Sequence, residues 1–186
     1  MNETLKNIRN RRSTRAFLPE QLVDEDIKQI IEAGIYAPSA TNKQPWHFTV
    51  VQNKDMIDRL SVAFKKIASK SDNEYIRRFA DNEMFHVLYK APTVVLVSGD
   101  EKNDLASVDC AAAVENMLIA AESLDIGSCW IGLIAYLLNS EEGAGFVKEL
   151  GIPEGFKQIH AVCLGHKRII ITTAPARKEN TVNYIK

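Results

Sequence analysis

Four arginines stand within seven residues near the start of the chain, between Arg9 and Arg15. If residues 11–15 are extended, the two-residue period places Arg11, Ser13 and Arg15 on one side and Arg12 on the other. Guanidinium groups bind phosphate oxygens in pairs, and a phosphate monoester carries about −1.5 to −2 charge at neutral pH. The segment therefore predicts an anion site, and a solvated basic turn or a nucleic-acid patch is the alternative.

A second polar segment, residues 37–46 with the sequence APSATNKQPW, contains two prolines and several side-chain amides and hydroxyls. Asn42 could hydrogen-bond the edge of a heterocycle, and Ser39 could bind sugar hydroxyls. An ordinary structured turn would have the same composition, so this segment alone leaves both interpretations open.

The common catalytic and phosphate-binding motifs are absent from this sequence. It contains neither GxxxxGK[ST] nor GxGxxG, and no GxSxG surrounds a serine. Its four histidines are dispersed without metal-ligand spacing, so no metal site is predicted. If the protein is an enzyme, we expect the reactive group to come from a bound molecule.

Composition and charge narrow the class of protein. The 186 residues are 46% hydrophobic and 25% charged, which is typical of a folded chain and predicts a single domain over residues 1–186. The net charge of −1 argues against nucleic-acid or membrane partners. Three cysteines without a CxxC pair are expected to be buried and reduced. With no signal-like or membrane-spanning run, we expect a cytoplasmic protein.

Hydrophobic periodicity predicts helices over residues 24–36, 54–67, 73–90, 104–124 and 140–150, and strands over residues 47–52, 93–98 and 158–165. The continuously apolar run at 93–98 is expected in the middle of a sheet. Long connections between strands favour a two- or three-layer α+β domain with a small mixed sheet. The helix at 104–124 is apolar on most sides, so it must be central in the domain or pressed against another subunit.

Four segments taken in order carry a family resemblance: RRSTR at 11–15, APSATNKQPW at 37–46, GSCWIG at 127–132 and PARK at 175–178. This set resembles the nitroreductase family of flavoproteins over nearly the whole chain. The resemblance implies an α+β, FMN-binding fold with a small mixed, mainly antiparallel sheet flanked by helices. It also implies a homodimer with the apolar helix at 104–124 in the dimer core, so that a charge at Leu118 would break the dimer.

The resemblance also implies roles for individual residues. Arg11 and Arg177 would grip the FMN phosphate, and Ser13 and Arg15 would reach the ribityl chain and the pyrimidine edge. The remaining implied FMN contacts are Arg12, Pro38, Ser39, Ala40, Asn42, Ile131, Gly132, Leu133 and Lys178. Residues 38–42 would contact flavin bound mainly by the partner chain. Pro175 stands where many relatives have a second basic residue, and Asn82 is only a guess for a further pyrimidine contact.

The implied reaction is a ping-pong transfer of a hydride from NADH or NADPH through flavin N5 to a planar, electron-poor acceptor such as a nitroaromatic, a quinone or a flavin. No catalytic side chain is required. Three alternatives stay open: a non-catalytic FMN carrier or sensor, another flavin reaction such as reductive dehalogenation or flavin-ring cleavage, and a basic N-terminal arm that binds nucleic acid.

Overall fold

The apolar run TVVLVS forms the centre of the sheet, as predicted. The computed structural model describes residues 1–186. In it β2 (Thr93–Asp100) lies between β1 (Trp46–Val51) and β4 (Phe156–Gly165), and β3 (Gly127–Ile131) pairs with the other side of β4. All three pairings are antiparallel, and one parallel bridge between Ser13 and Ser128 adds the N-terminal segment beside β3. The predicted small, mixed and mainly antiparallel sheet is confirmed.

Seven α-helices surround the sheet. They are α1 (Glu3–Asn10), α2 (Asp24–Ile35), α3 (Lys54–Ala68), α4 (Glu74–Asp81), α5 (Ala106–Ser123), α6 (Ile134–Leu138) and α7 (Ala144–Glu149). Asparagine side chains cap three of their N-termini: Asn2, Asn53 and Asn73 each accept a backbone N–H of the first turn. Two 3₁₀ turns, Ala40–Asn42 and Glu141–Gly143, complete the regular structure.

Alternate residues of the central strands supply two hydrophobic clusters, one on each face of the sheet. Val94 and Leu96 pack with α3 and α6, whereas Val95 and Val97 pack with α2 and α5. Helix α5 lies between the sheet and α2, where Gly34 approaches it so closely that a Cβ there would lie 2.4 Å from Cε of Met117. This central position explains why the sequence of α5 is apolar on most sides.

The predicted placement of Leu118 in the dimer core is wrong. Leu118 is only 2% exposed in the single chain and belongs to the cluster beneath α2. A charge there would disrupt the core of one chain, because burying an unpaired charge is very costly.

Other boundaries differ from the predictions. The helix predicted over residues 73–90 ends at Asp81, and a series of turns leads from there to β2. The helix predicted over 140–150 is a 3₁₀ turn followed by α7, and neither α1 nor β3 was predicted.

Candidate functional site

The arginine-rich segment lies along the edge of β3. Helix α1 ends at Asn10, and the backbone is extended at Arg11, with φ −52° and ψ 129°. Three residues later the backbone N–H of Thr14 donates to the carbonyl of Ser128 at 2.8 Å, and the Thr14 side chain is buried. The strand edge therefore fixes the path of the segment and with it the alternation of its side chains.

The side chains of Arg11, Ser13 and Arg15 all act on one thiol, that of Cys129. Burial raises the pKa of Cys129, whereas the charge of Arg15, a hydrogen bond with the Ser13 side chain and the charge of Arg11 each lower it. The three side chains therefore lie within electrostatic reach of the same thiol.

Arg12 is directed elsewhere. Its Nη1 donates to the carbonyls of Arg9 and Arg11, both at 2.7 Å, and so satisfies backbone acceptors at the end of α1. Its Nε is buried without a partner. The predicted ligand contact by this side chain would therefore compete with a structural role.

No carboxylate neutralises these arginines. Arg59 pairs with Glu149 at 2.7 Å and Arg78 pairs with Glu74 at 2.9 Å, but Arg9, Arg11, Arg12 and Arg15 form no ion pair. Guanidinium groups gathered without counter-charges fit an anion with several oxygen acceptors, such as a phosphate monoester. The donor set therefore fits the phosphate and polar edge of FMN.

Ile131, Gly132 and Leu133 form the turn from β3 into α6. Ile131 is buried and Leu133 is half-buried, whereas Gly132 is exposed and a Cβ added there would meet no atom within 4 Å. The carbonyl of Gly132 accepts from Ala135 at 3.2 Å, which holds the turn. Open space in front of a backbone glycine leaves room for a planar ring.

The polar loop at 37–46 is stabilised by its own side chains. Ser39 Oγ accepts from the N–H of Gln44 at 2.9 Å, and Asn42 Oδ1 accepts from Nε2 of Gln44 at 3.1 Å. Ala40 donates its N–H to Oδ1 of Asp109 near the start of α5, and Pro38 is exposed. No hydrogen bond or ion pair joins this loop to Arg11, Ser13 or Arg15 in the chain.

The second residue expected to bind the FMN phosphate, Arg177, lies in the C-terminal tail. Arg177 and Lys178 are exposed in a tail without helix or strand, and Nη1 of Arg177 donates to the carbonyl of Pro175 at 3.0 Å.

One neighbour of the arginine segment was missed in the sequence. The guanidinium carbon of Arg15 lies 5.9 Å from the centroid of the Tyr89 ring. Asn82, the guessed contact, instead accepts the N–H of Met84 at 3.0 Å in an exposed turn. A turn sequence carries no signal for the Tyr89 contact, because it depends on the backbone path after α4.

Other site types find no support. No group of three His, Cys, Asp or Glu side chains is placed to hold a metal ion. None of the seven helices combines the length and apolar character needed to cross a bilayer.

Comparison with known proteins decides the family. A model of the nitroreductase family matches residues 8–166. The chain belongs to the nitroreductase family. A nitroreductase of Bacteroides fragilis, solved with bound FMN, is 37% identical, superposes with a TM-score of 0.94, and the match covers 100% of both chains. A nitroreductase of Desulfitobacterium hafniense with bound FMN is 30% identical, with a TM-score of 0.91 and 100% coverage of both chains.

A longer relative is the NADPH-flavin oxidoreductase of Vibrio harveyi, which is 31% identical over an alignment of 172 positions that covers 89% of this chain and 66% of that protein. The predicted α+β nitroreductase-like fold is confirmed by these likenesses.

Proposed function

We propose that this chain is an FMN-dependent oxidoreductase that uses NADH or NADPH to reduce a planar, electron-poor acceptor: a nitroaromatic, a quinone or a flavin. The observation that supports this proposal most is that Arg11, Ser13 and Arg15 follow the β3 edge and that neither arginine forms an ion pair. They lie in a fold shared with nitroreductases that hold FMN at 37% and 30% identity.

In this proposal Arg11 and Arg177 bind the phosphate of FMN, with Lys178 beside them, and Ser13 and Arg15 hold the ribityl chain and the pyrimidine edge. FMN, when bound, would supply the redox chemistry, with hydride transfer through its N5. Arg15 contributes a fixed positive charge at the pyrimidine edge, where reduction adds negative charge. The turn Ile131–Gly132–Leu133 would cover one side of the ring. The other side would then be open to donor and acceptor in turn, which is a ping-pong order.

A homodimer completes the site. Within one chain no hydrogen bond joins the loop residues Pro38, Ser39, Ala40 and Asn42 to the arginine segment, and the tail residue Arg177 is exposed. The chain also exposes many large apolar side chains, above all in α1 and in the tail: Leu5, Ile8, Ile169, Ile170, Ile171, Val182, Tyr184 and Ile185. Such exposed apolar surface is typical of a subunit interface, and a second copy would cover it and bring its own loop to the flavin.

We also propose that residues 1–186 act as one domain, since both hydrophobic clusters share one sheet. A reducing, cytoplasmic setting is supported by three free, buried cysteines.

The test is an absorbance spectrum of the purified protein, followed by anaerobic titration with NADH and NADPH. We expect a flavin spectrum that bleaches with one or both donors and is restored by a quinone or nitroaromatic. Flavin that binds but does not bleach would indicate a carrier or sensor. Protein that stays colourless after incubation with FMN would refute the proposal.

A further inference from the structure

The turn between α4 and β2 contains two successive residues in the left-handed region. Tyr89 and Lys90 both have φ +52°. Side chains other than glycine, asparagine and aspartate rarely adopt this conformation, and it persists only where surrounding contacts enforce it.

His86 enforces the turn through its ring. Its side chain is 11% exposed, and its Nδ1 accepts the backbone N–H groups of both Leu88 and Lys90 at 3.2 Å. Because Nδ1 accepts, the neutral ring carries its proton on Nε2, which lies 3.2 Å from Oδ1 of Asp58 on α3. Asp58 thus selects the tautomer that the turn requires.

Two further contacts hold the middle of the turn. Val87 donates its N–H to Oγ of Ser61 at 3.2 Å, and the carbonyl of Leu88 accepts from Sγ of Cys163 at 3.3 Å. Val87 and Leu88 are themselves buried in the cluster on α3. The turn is therefore attached to α3 on one side and to β4 on the other.

The consequence of this geometry is the position of the Tyr89 ring. The ring packs edge-on against Phe85, with centroids 6.4 Å apart, and it faces the Arg15 guanidinium at 5.9 Å. A cation held near an aromatic face is attracted by the ring, which restricts the flexible arginine side chain.

We propose that His86 is a positioning residue, which fixes the left-handed Tyr89–Lys90 step and thereby sets the Tyr89 ring against Arg15 so that this guanidinium is pre-ordered for the flavin. This inference rests on the proposed function, because Arg15 is taken there as an FMN contact. Asp58 acts one step further away, through the Nε2 proton of His86.

The test compares FMN dissociation constants, measured by quenching of flavin fluorescence, for the full-length protein. Tyr89→Leu removes the ring, and we expect about two- to fivefold weaker binding. His86→Gln keeps a donor for Asp58 but moves the acceptor away from the turn, so we expect a loss of similar size. His86→Asn keeps an oxygen where Nδ1 stands, so it should bind FMN more tightly than His86→Gln.

The double variant decides between positioning and general structural damage. If His86 acts through Tyr89, the variant His86→Gln/Tyr89→Leu binds FMN no more weakly than either single variant. Additive losses would overturn the proposal. Tyr75→Leu, at an exposed tyrosine on α4, is the matched control and should leave the constant unchanged.

A ligand-free measurement separates this inference from the proposed function. In the apo protein the Tyr89 ring current should shift the δ-proton NMR signals of Arg15 upfield, and His86→Gln should remove that shift. If the shift depends on His86 but FMN does not bind the wild type, the proposed function fails and the positioning role stands. If FMN binds and the Arg15 signals are the same in wild type and His86→Gln, the positioning role fails.

Discussion

The backbone N–H of Ala40 donates a hydrogen bond to Oδ1 of Asp109 at 3.2 Å, which ties the polar loop after α2 to the start of α5. Asp109 is 6% exposed, and its Oδ2 is buried without a partner. The buried carboxylate of Asp109 accepts one backbone N–H of the loop and so fixes its position. The same loop contains Ser39 and Asn42, which we assign to the cofactor site.

Two substitutions of Asp109 should distinguish the effect of its hydrogen-bond acceptor from that of its charge. Asp109→Ala leaves the Ala40 N–H unpaired and should lower the free energy of unfolding by about 1–3 kcal/mol. Asp109→Asn keeps the acceptor for the Ala40 N–H, so it should destabilise the fold less than Asp109→Ala does. Urea denaturation of both variants checks this, and equal destabilisation by the two would contradict it.

Removal of an unpaired guanidinium should cost ligand affinity. Arg11→Ala is expected to weaken FMN binding by about 10- to 100-fold, because a charge-assisted hydrogen bond contributes about 1.5–3 kcal/mol. Arg177→Ala should act in the same direction. Flavin content after purification measures the effect, with Arg78→Ala as the control because Arg78 is exposed and paired with Glu74. Wild-type flavin content in Arg11→Ala would argue against the assigned role.

Acidification should destabilise the fold through two histidines. Burial lowers the pKa of His86 below 6.5, against the opposing effect of Asp58 and with small contributions from Lys90 and Lys54. Burial likewise lowers the pKa of His160. The unfolded chain then binds more protons than the folded one, so stability is lost as pH falls through about 6.5 towards the lowered values.

The melting temperature measured from about pH 8 to about pH 5 checks this histidine effect. We expect a decrease on acidification that is smaller in the variant His86→Asn/His160→Asn. An equal slope in that variant would assign the acid sensitivity to other groups.

Two glycines only two residues apart should respond oppositely to alanine. A Cβ at Gly143 would lie 2.0 Å from the carbonyl oxygen of Leu137, a backbone atom that cannot move aside. A Cβ at Gly145 would meet no atom within 4 Å. Gly143→Ala should therefore destabilise by about 1–3 kcal/mol. Gly145→Ala should stabilise α7 by about 0.5–1 kcal/mol, because alanine favours the helix. Thermal unfolding of the pair is the measurement, and equal shifts would be inconsistent with the packing around Leu137.

Sequence patterns predicted the helices and strands whose buried positions recur regularly along the chain. The run at 93–98 is apolar at every position because β2 is covered on both faces, and α3 shows a regular apolar stripe because only one side is buried. By contrast, β3 was not predicted, because it begins with Gly127 and Ser128, residues that do not favour strands. It is nevertheless paired with β4 along its whole length. Helix α1 has no buried residue, so its sequence lacked a core-facing pattern.

The candidate site was predictable to the same extent. The alternation of Arg11, Ser13 and Arg15 follows from an extended backbone, and all three side chains lower the pKa of Cys129. The Tyr89 contact with Arg15 could not be predicted, because it depends on two left-handed residues that the ring of His86, in the same turn, holds in place.

The bridge between Ser13 and Ser128 also makes the N-terminal segment cover the edge of β3. Without it β3 would present an unpaired strand edge, the kind of surface on which chains associate and aggregate. The Thr14 N–H that donates to the Ser128 carbonyl occupies that edge. Because this is a backbone hydrogen bond, replacing the side chains at positions 11, 13 and 15 leaves it intact, whereas deleting residues would remove it. The segment therefore tolerates changes of side chain better than changes of length.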